Sequence, residues 1–586
     1  MRELIDRAMN EVAEIYPRFT AVLINAPTGM GKTYNSHVPF LKFHDRGLVR
    51  GFIYVAPMRA LVRQQVRNFI ERLSGFSVAY QSMDINLKVE VGGGEVTVVK
   101  NPMLSSDVNV STIDSFMFNL MRMPVELLNK PVKWRYMTYR SYIFTSYVFL
   151  DEVHLLIEGS KAPLAALLLG LRELVISHTP TVIASATLGE KRIRCLATGN
   201  CGERVVDTYT KAVRGKIKVF KLGNEDSSSC SSNYCIETIR DRDWEAVTNN
   251  QRFIFEEVNE SDVQKIVNDY SGGILIIRNT VRDAVSTYKR VSNLFGRNDV
   301  ALLHGKLDEV DRDDNARNMS NARVVIGTDA IGVGVHLEHT NVLIMDVPPN
   351  IDVFIQRVGR ICRDLEGNKD NDCHVYIIKD KDNEDLPKYY VDLRDKLGSF
   401  NWRLPYDCCG RKGYEKLIDD YTETLEPDIV TYQDLYSLLE PLIFDQKELK
   451  DKYIRNDYCK LVRDSILIRG VTDVNEEKAL KSSLPLSMGD VVTLIEDYAD
   501  EINLVAYKLD FSNGSLSRIE IDEHVRNKVF EKLKRSDCYA YFEANNELVN
   551  YMEQKVGSLK GFGVQWNIYW GIDVSRLYER GLGLVI

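Results

Sequence analysis

The strongest constraint on this chain is a series of short apolar segments at regular intervals, each almost uninterrupted by polar residues. They are "AVLIN" (21–25), "GFIYVA" (51–56), "VNVST" (108–112), "YVFLDE" (147–152) and "PTVIASAT" (180–187). A strand with one wet face alternates apolar and polar residues; a strand covered on both faces need not. Amphipathic helical stretches separate the segments, so the pattern predicts parallel strands flanked by helices. A second series repeats it: "GGILIIRN" (272–279), "VALLHG" (300–305), "RVVIGTD" (323–329), "NVLIMDV" (341–347) and "CHVYIIKD" (373–380). Two α/β domains in tandem are expected.

A chain of 586 residues exceeds what one core serves, and three domains is the natural expectation. "GNEDSSSCSSN" (223–233) reads as an exposed loop between the two series. Beyond about residue 396 longer helical segments dominate, which predicts a mainly helical C-terminal domain. One interruption, "NLVAYKLDFSNGSLSRIEI", carries an Asn513-Gly514 hairpin signal.

The net charge of −9 excludes a general polyanion-binding coat, so any nucleic-acid site must be a local basic groove. The N-terminus reads as a charged amphipathic helix, not a signal peptide, and the longest apolar run, "PLAALLLGL" (163–171), is too short to span a bilayer. A soluble, cytoplasmic protein with no membrane partner is expected. The ten cysteines include no C-x-x-C. Cys195/Cys201 and Cys230/Cys235 are spaced poorly for zinc, and buried free thiols are the expectation, with disulfides as the alternative for a hyperthermophile.

The chemistry begins at "APTGMGKT" (26–33), a P-loop pattern with Ala in place of the first Gly. Glycines at 29 and 31 allow positive φ and close backbone approach to phosphates, and a helix is expected to start directly afterwards. Lys32 would reach the β- and γ-phosphates and Thr33 would ligate Mg²⁺; Thr28 and Met30 complete the loop. Asp151, closing "YVFLDE", is the second Mg²⁺ ligand in type and context, and Glu152 the general base for the attacking water. His154 could hydrogen-bond across to "SAT" (185–187) or be a satisfied loop histidine. "FIQRVGRICR" (354–363) offers Gln356 and three cations, Arg357, Arg360 and Arg363, to oppose the γ-phosphate; on a helix Arg360 and Arg363 would share one face.

The motif order "APTGMGKT", "APMRALVRQQ", "VNVSTIDS", "DEVH", "SAT", "GTDAIGVGV", "QRVGRICR" resembles that of superfamily 2 helicases over roughly residues 15 to 380. The resemblance implies two RecA-like domains, residues 1–210 and 211–395, with ATP and Mg²⁺ between them, followed by an accessory domain, 396–586. It also implies that Glu152, Gln356, Arg360 and Arg363 act in hydrolysis. Coupling would fall to His154, Ser185, Thr187, Asp329 and Gly334, and backbone contacts to nucleic acid to Arg59, Thr112 and Thr328. Asn279 and Thr280 stay open between such contacts and turn roles.

Several further stretches resemble the helicase of type I CRISPR interference: P-x-R-A-L-x-x-Q at 57–64, "STID" at 111–114, "IIRNTVRDAV" at 276–285, "LLHGKL" at 302–307 and, more weakly, "LYERGLGLVI" at the end. That family implies 3′ to 5′ movement on single-stranded DNA for a CRISPR effector complex in antiviral defence. Many members carry an HD nuclease domain ahead of the helicase. Here the P-loop begins about 25 residues from Met1, so the expectation is the split, often archaeal form served by a separate HD-type nuclease subunit. His44-Asp45 is read as accidental. No Gln precedes the P-loop to read adenine, and Gly334-Val335-His336 replaces the more usual G-V-D. Two alternatives stand: a cellular RNA helicase of the DEAH/DEVH class, and a nucleotide-gated clamp that does not unwind. Trp566, Tyr569 and Trp570 could stack on bases or belong to a core.

Overall fold

The computed structural model describes residues 2–56, 59–82, 87–122, 136–157, 161–202, 204–296, 298–319, 322–329, 331, 340–363, 372–379, 386–422, 426–439, 467–476, 478–479, 482–509, 516–556 and 568–586. The chain forms two compact units. The first comprises residues 1–128, 132–279 and 332–442; the second, 129–131, 280–331 and 443–586.

The first unit is built on an eleven-stranded sheet. Its strands are β1 (Ala21–Asn25), β2 (Gly51–Ala56), β3 (Val78–Gln81), β4 (Leu87–Val91), β5 (Gly94–Lys100), β6 (Val108–Thr112), β7 (Ser146–Leu150), β8 (Thr181–Ser185), β9 (Ile217–Leu222), β10 (Ser227–Cys230) and β11 (Tyr234–Ile239). The order is β10-β11-β9-β1-β8-β7-β2-β6-β3-β5-β4. The central strands β1, β2, β6, β7 and β8 are buried at every residue, matching their unbroken apolar sequence. Pairing is parallel throughout, except where β10 and β4 turn back antiparallel at the two edges.

Rings of Phe52, Tyr147, Tyr54 and Phe149 stack beneath this sheet, at 5.2 Å between the first two and 5.7 Å between the last two. The layer holds Tyr54 with its hydroxyl at the end of β7, where the chemistry sits. The helices used below are α1 (Glu3–Ile15), α2 (Val38–Asp45), α3 (Lys161–Ile176), α4 (Glu190–Thr198), α5 (Arg242–Asn249), α6 (Ile351–Val358) and α7 (Glu415–Tyr421). The run "PLAALLLGL" lies within α3 and is buried along its length. No helix among the described residues is long and apolar enough to cross a membrane.

Four more strands of the first unit lie in the order Arg252–Val258, Asp372–Ile378, Thr340–Asp346 and Gly273–Ile277, all parallel. Phe354 of α6 packs 4.9 Å from Trp402, so chain beyond residue 396 completes this core.

In the second unit two parallel strands, Val300–Leu303 and Val324–Gly327, pair in register. A separate five-stranded sheet runs Ser483–Ser487, Leu467–Val471, Ile568–Asp573, Asn503–Leu509, Leu516–Ile519, with helices Met488–Asp497, Glu523–Leu533 and Cys538–Val556. The hairpin expected around residue 513 pairs Ala506 with Ile519 and Leu509 with Leu516; its turn lies outside the described residues. Trp570 belongs to the core here, donating to Asn545 Oδ1 at 2.9 Å and stacking on Tyr541, and Tyr569 lies under Arg469. Trp566 lies outside the described residues.

The expectation of free thiols is overturned. Cys195–Cys201, Cys230–Cys235 and Cys362–Cys373 are disulfides, and Cys538 is also disulfide-bonded. Cys230 and Cys235 are cross-strand partners in the β10–β11 register, which places their Cβ atoms face to face. Gly199, left-handed at φ 74° at the end of α4, turns the chain so that Cys201 returns to Cys195. Spacing alone revealed neither arrangement. Cys408 and Cys409 are free thiols.

Candidate nucleotide site

The site assembles at the carboxyl ends of β1, β7 and β8, where parallel strands leave a crevice for a ligand. Gly29 and Gly31 take φ of 87° and 93°, so the loop after β1 adopts a backbone that only glycine holds without strain. Lys32, 4% exposed, folds over the loop and donates to Ala26 O at 2.6 Å and Pro27 O at 3.3 Å. Its Nζ stands 4.0 Å from Glu152 Oε1.

The helix expected directly after the loop is displaced. Residues 32–37 form turns, and α2 begins only at Val38. Pro39 accounts for this, because it lacks the N–H that a helix running through residue 35 would need.

Thr33 donates its hydroxyl to Asp151 Oδ2 at 2.8 Å, and Tyr54 donates to the same oxygen. Burial and the adjoining Glu152 charge push Asp151 up to about 6. Burial also pushes Glu152 up, but Lys32, His154 and Arg360 more than offset it and hold Glu152 down at about 2. Glu152 takes φ of 48°, a conformation rarely tolerated outside glycine. The strain turns its carboxylate away from the Thr33–Asp151 pair and toward Lys32 and His154. A hydroxyl and a carboxylate converging beside a lysine-bearing glycine loop suit a hard divalent cation bound to phosphates.

His154 is 2% exposed, with Nδ1 2.9 Å from Ser185 Oγ and 3.3 Å from Glu152 Oε2. Its Nε2 accepts from the Gln356 amide at 2.6 Å. Asn25, at the end of β1, donates to Leu188 O at 2.7 Å and accepts from Leu188 N, tying the P-loop strand to the segment after Thr187.

Arg360 and Arg363 do not share a helical face. The helix α6 ends at Val358, and both arginines lie on the turn that follows Gly359. Both nevertheless act on Glu152 electrostatically, and burial drives the Arg363 guanidinium well below its ordinary range. The turn is pinned: Cys362 N donates to Thr340 O at 2.7 Å, Gln251 donates to Cys362 O at 2.7 Å, and Arg403 donates to Ile361 O. A Cβ on Gly359 would stand 2.8 Å from Thr28 Oγ1, so only glycine lets this turn approach the P-loop so closely. Trp244, on α5, lies under the loop, 3.8 Å from where a Cβ on Gly29 would be.

Thr187 is 1% exposed and Met30 2% exposed. Arg59 opens the helix after β2 and Thr112 ends β6, the adjacent strand, so both sit at the same sheet edge as the P-loop. Thr112 is 6% exposed and donates to Ser115 Oγ at 3.2 Å. In the second unit Thr328 follows its strand, donating its N–H to Leu303 O, and Asp329 comes next. Gly334 to His336 and Pro57 lie outside the described residues. Asn279 has a structural part: it donates to Val347 O at 2.9 Å and accepts from Arg357 at 2.9 Å. Thr280 caps the helix Val281–Phe295. The sequence reading missed Asn25, Tyr54, Trp244, Gln251 and Arg403; none carries a motif, and only their partners in space mark them.

Residues 7–195 match the DEAD/DEAH box helicase family, and residues 271–366 match the C-terminal part of the CRISPR-associated nuclease/helicase Cas3 family. The Streptococcus thermophilus CRISPR-associated nuclease/helicase Cas3 is 22% identical over 654 residues, covering 95% of this chain and 66% of that protein. ATP-dependent helicase Lhr-Core of Sulfolobus acidocaldarius is 23% identical over 365 residues, covering 58% of this chain and 37% of that protein. Among solved structures, T. fusca Cas3 with ATP superposes with a TM-score of 0.52 at 16% identity, covering 83% of this chain and 64% of that one. This chain thus spans just under two thirds of the length of these Cas3 relatives. It carries a DEAD/DEAH-type helicase segment followed by a Cas3-like segment, and over most of its length it is similar to Cas3. The expected α/β fold of parallel sheets flanked by helices is borne out, and so is the family resemblance.

Proposed function

We propose that the chain is an ATP-dependent, 3′ to 5′ translocase on single-stranded DNA that unwinds target DNA in type I CRISPR interference. The observation that carries this reading is the meeting of two sequence-distant elements over one phosphate loop: Gln356 on His154, and Gly359 against Thr28. In this reading residues 1–210 and 211–395 act as the two motor lobes and residues 396–586 as an accessory domain.

Thr28 to Thr33 would hold the triphosphate of ATP, with Lys32 leaving its loop carbonyls for the phosphate oxygens. Thr33 and Asp151 would hold Mg²⁺, which supplies charge neutralisation at the β- and γ-phosphates when bound. Glu152, kept ionised by Lys32 and His154, accepts the proton of the attacking water. Arg360 and Arg363 supply positive charge from the opposite side. Loss of the γ-phosphate removes what holds the arginine turn against the loop. His154, between Glu152 and Ser185, passes that change on, with Asp329 and Gly334 as its counterparts in the second lobe. Arg59, Thr112 and Thr328 grip the sugar–phosphate backbone, which carries no sequence information and so suits a motor.

The family matches fall on helicase segments, and we assign DNA cleavage to a separate HD-type nuclease subunit working with a CRISPR effector complex. ATPase assays with single-stranded DNA, single-stranded RNA and neither test the reading, together with strand displacement. Stimulation by DNA with unwinding supports it. Stimulation by RNA alone points to a cellular RNA helicase, and hydrolysis without unwinding points to a clamp. Metal-dependent DNA cleavage by the pure chain that survives mutation of His44 and Asp45 contradicts the separate nuclease.

A further inference from the structure

Helix α6 reaches the Ser185–Thr187 segment at the end of β8 through two relays, one turn apart. Gln356 meets His154, whose other nitrogen lies 2.9 Å from Ser185 Oγ. Four residues earlier on the same face, Asp352 accepts from both terminal nitrogens of Arg192, at 2.7 and 2.8 Å. Arg192 stands in the first turn of α4 and also donates to Thr187 O at 3.1 Å. The two contacts therefore end on the first and last residues of one tripeptide, Ser185-Ala186-Thr187.

Arg192 and Asp352 are 3% and 2% exposed. The start of α4 is itself fixed, because Asp419 of α7 accepts from Glu190 N at 3.0 Å and Lys191 N at 3.1 Å. A buried ion pair adds little net stability, since desolvation cancels most of the attraction, and an apolar pair of similar size often holds as well or better. What a bidentate guanidinium–carboxylate pair does supply is orientation, because both bonds are satisfied in one relative placement of the two helices.

We propose that Arg192 and Asp352 form a latch that registers closure of the arginine turn on the Ser185–Thr187 segment and so couples nucleotide state to movement on nucleic acid. Both are positioning residues, since they reach the site only through Thr187 and α6. The inference rests on the helicase reading above and extends it to residues outside every recognised motif.

The test uses full-length Asp352→Asn, Arg192→Lys and the double variant Arg192→Met with Asp352→Leu. Hydrogen exchange is followed with Mg²⁺ and a non-hydrolysable ATP analogue. In the wild type the analogue is expected to protect both residues 26–33 and residues 185–198. The variants should keep the first protection and lose the second at least tenfold, with base pairs unwound per ATP falling by a similar factor. The apolar pair should melt no earlier than the wild type, which separates lost coupling from lost fold. Wild-type protection over 185–198 in the variants overturns the latch, as does an apolar pair that unwinds normally or a wild type protected at 26–33 alone. A wild type that DNA does not stimulate defeats the helicase reading instead, and the exchange pattern still judges the latch.

Discussion

Gln356 donates its amide to His154 Nε2 across 2.6 Å, joining residues 202 positions apart in the chain. With Nε2 accepting, the imidazole carries its proton on Nδ1, which faces Ser185 Oγ at 2.9 Å and Glu152 Oε2 at 3.3 Å. One ring thus touches the candidate base, the last residue of β8 and the helix that precedes the arginine turn. Movement of any of the three is felt by the other two.

Glu152→Gln is expected to bind ATP with near-normal affinity while turnover falls about 10²- to 10⁴-fold, the range for loss of a general base. Lys32→Ala is expected to weaken nucleotide binding itself. Equilibrium binding of a fluorescent ATP analogue beside steady-state ATPase separates the two. A Glu152→Gln protein that keeps most of its turnover would refute the assignment.

Tyr54→Phe removes one of two hydroxyls that stabilise the ionised Asp151. A hydrogen bond to a charged group contributes about 1.5–3 kcal/mol, so the proton should compete better with Mg²⁺ at this carboxylate. The Mg²⁺ concentration for half-maximal ATPase should rise roughly tenfold, and by more at pH 6 than at pH 8. An unchanged Mg²⁺ requirement at both pH values contradicts the assignment of Asp151 as a metal ligand.

Gly359→Ala places a methyl group 2.8 Å from Thr28 Oγ1 and 3.0 Å from Ile355 O. The arginine turn must then retreat from the P-loop, and kcat is expected to fall by at least tenfold with little change in thermal stability. Wild-type kcat in this variant would show that the close approach is not used.

Within the second unit, His304 donates from Nε2 to Leu582 O at 2.9 Å while its Nδ1 accepts from Lys306 N at 3.2 Å. Both nitrogens are satisfied only in the neutral ring. Burial lowers His304 to about 4. The unfolded chain takes up this proton near the ordinary histidine value, so the stability of the unit is complete above about pH 6.5 and declines as pH falls toward 4. The full loss amounts to about 3 kcal/mol. Urea unfolding at pH 7 and pH 5 should show a smaller acid loss in His304→Gln than in the wild type; equal losses would contradict the assignment.

Much of this site was legible because its chemistry is local. β1 and β2 coincide with the apolar runs quoted for them, Asp151 and Glu152 directly follow β7, and Lys32 and Thr33 lie in the glycine loop after β1, where the buried charges of Lys32 and Asp151 have to be compensated. The edge strands were not legible: β10, "SSSC", is exposed at every residue and β5 at most, so neither carries a hydrophobic period. The helix expected after the P-loop failed on Pro39, where a glycine-loop pattern outweighed a proline in plain view. Arg360 and Arg363 were placed on a helix because their spacing of three fits one, but the helix stops before Gly359. Arg192 and Asp352 stand 160 positions apart, and no periodicity links them. The Cys362–Cys373 bridge was hidden for the same reason, since it joins a turn to a strand that local patterns treat as unrelated.

The central claim is that two parts of the chain enclose one triphosphate, with the arginine turn completing what the P-loop begins. Removing both guanidinium groups, Arg360→Ala with Arg363→Ala, and measuring ATP turnover with saturating single-stranded DNA tests it most directly. Turnover is expected to fall by about 10³-fold or more, the scale of an arginine finger, while ATP binding persists. Turnover equal to that of the wild type would contradict the shared site and the motor built on it.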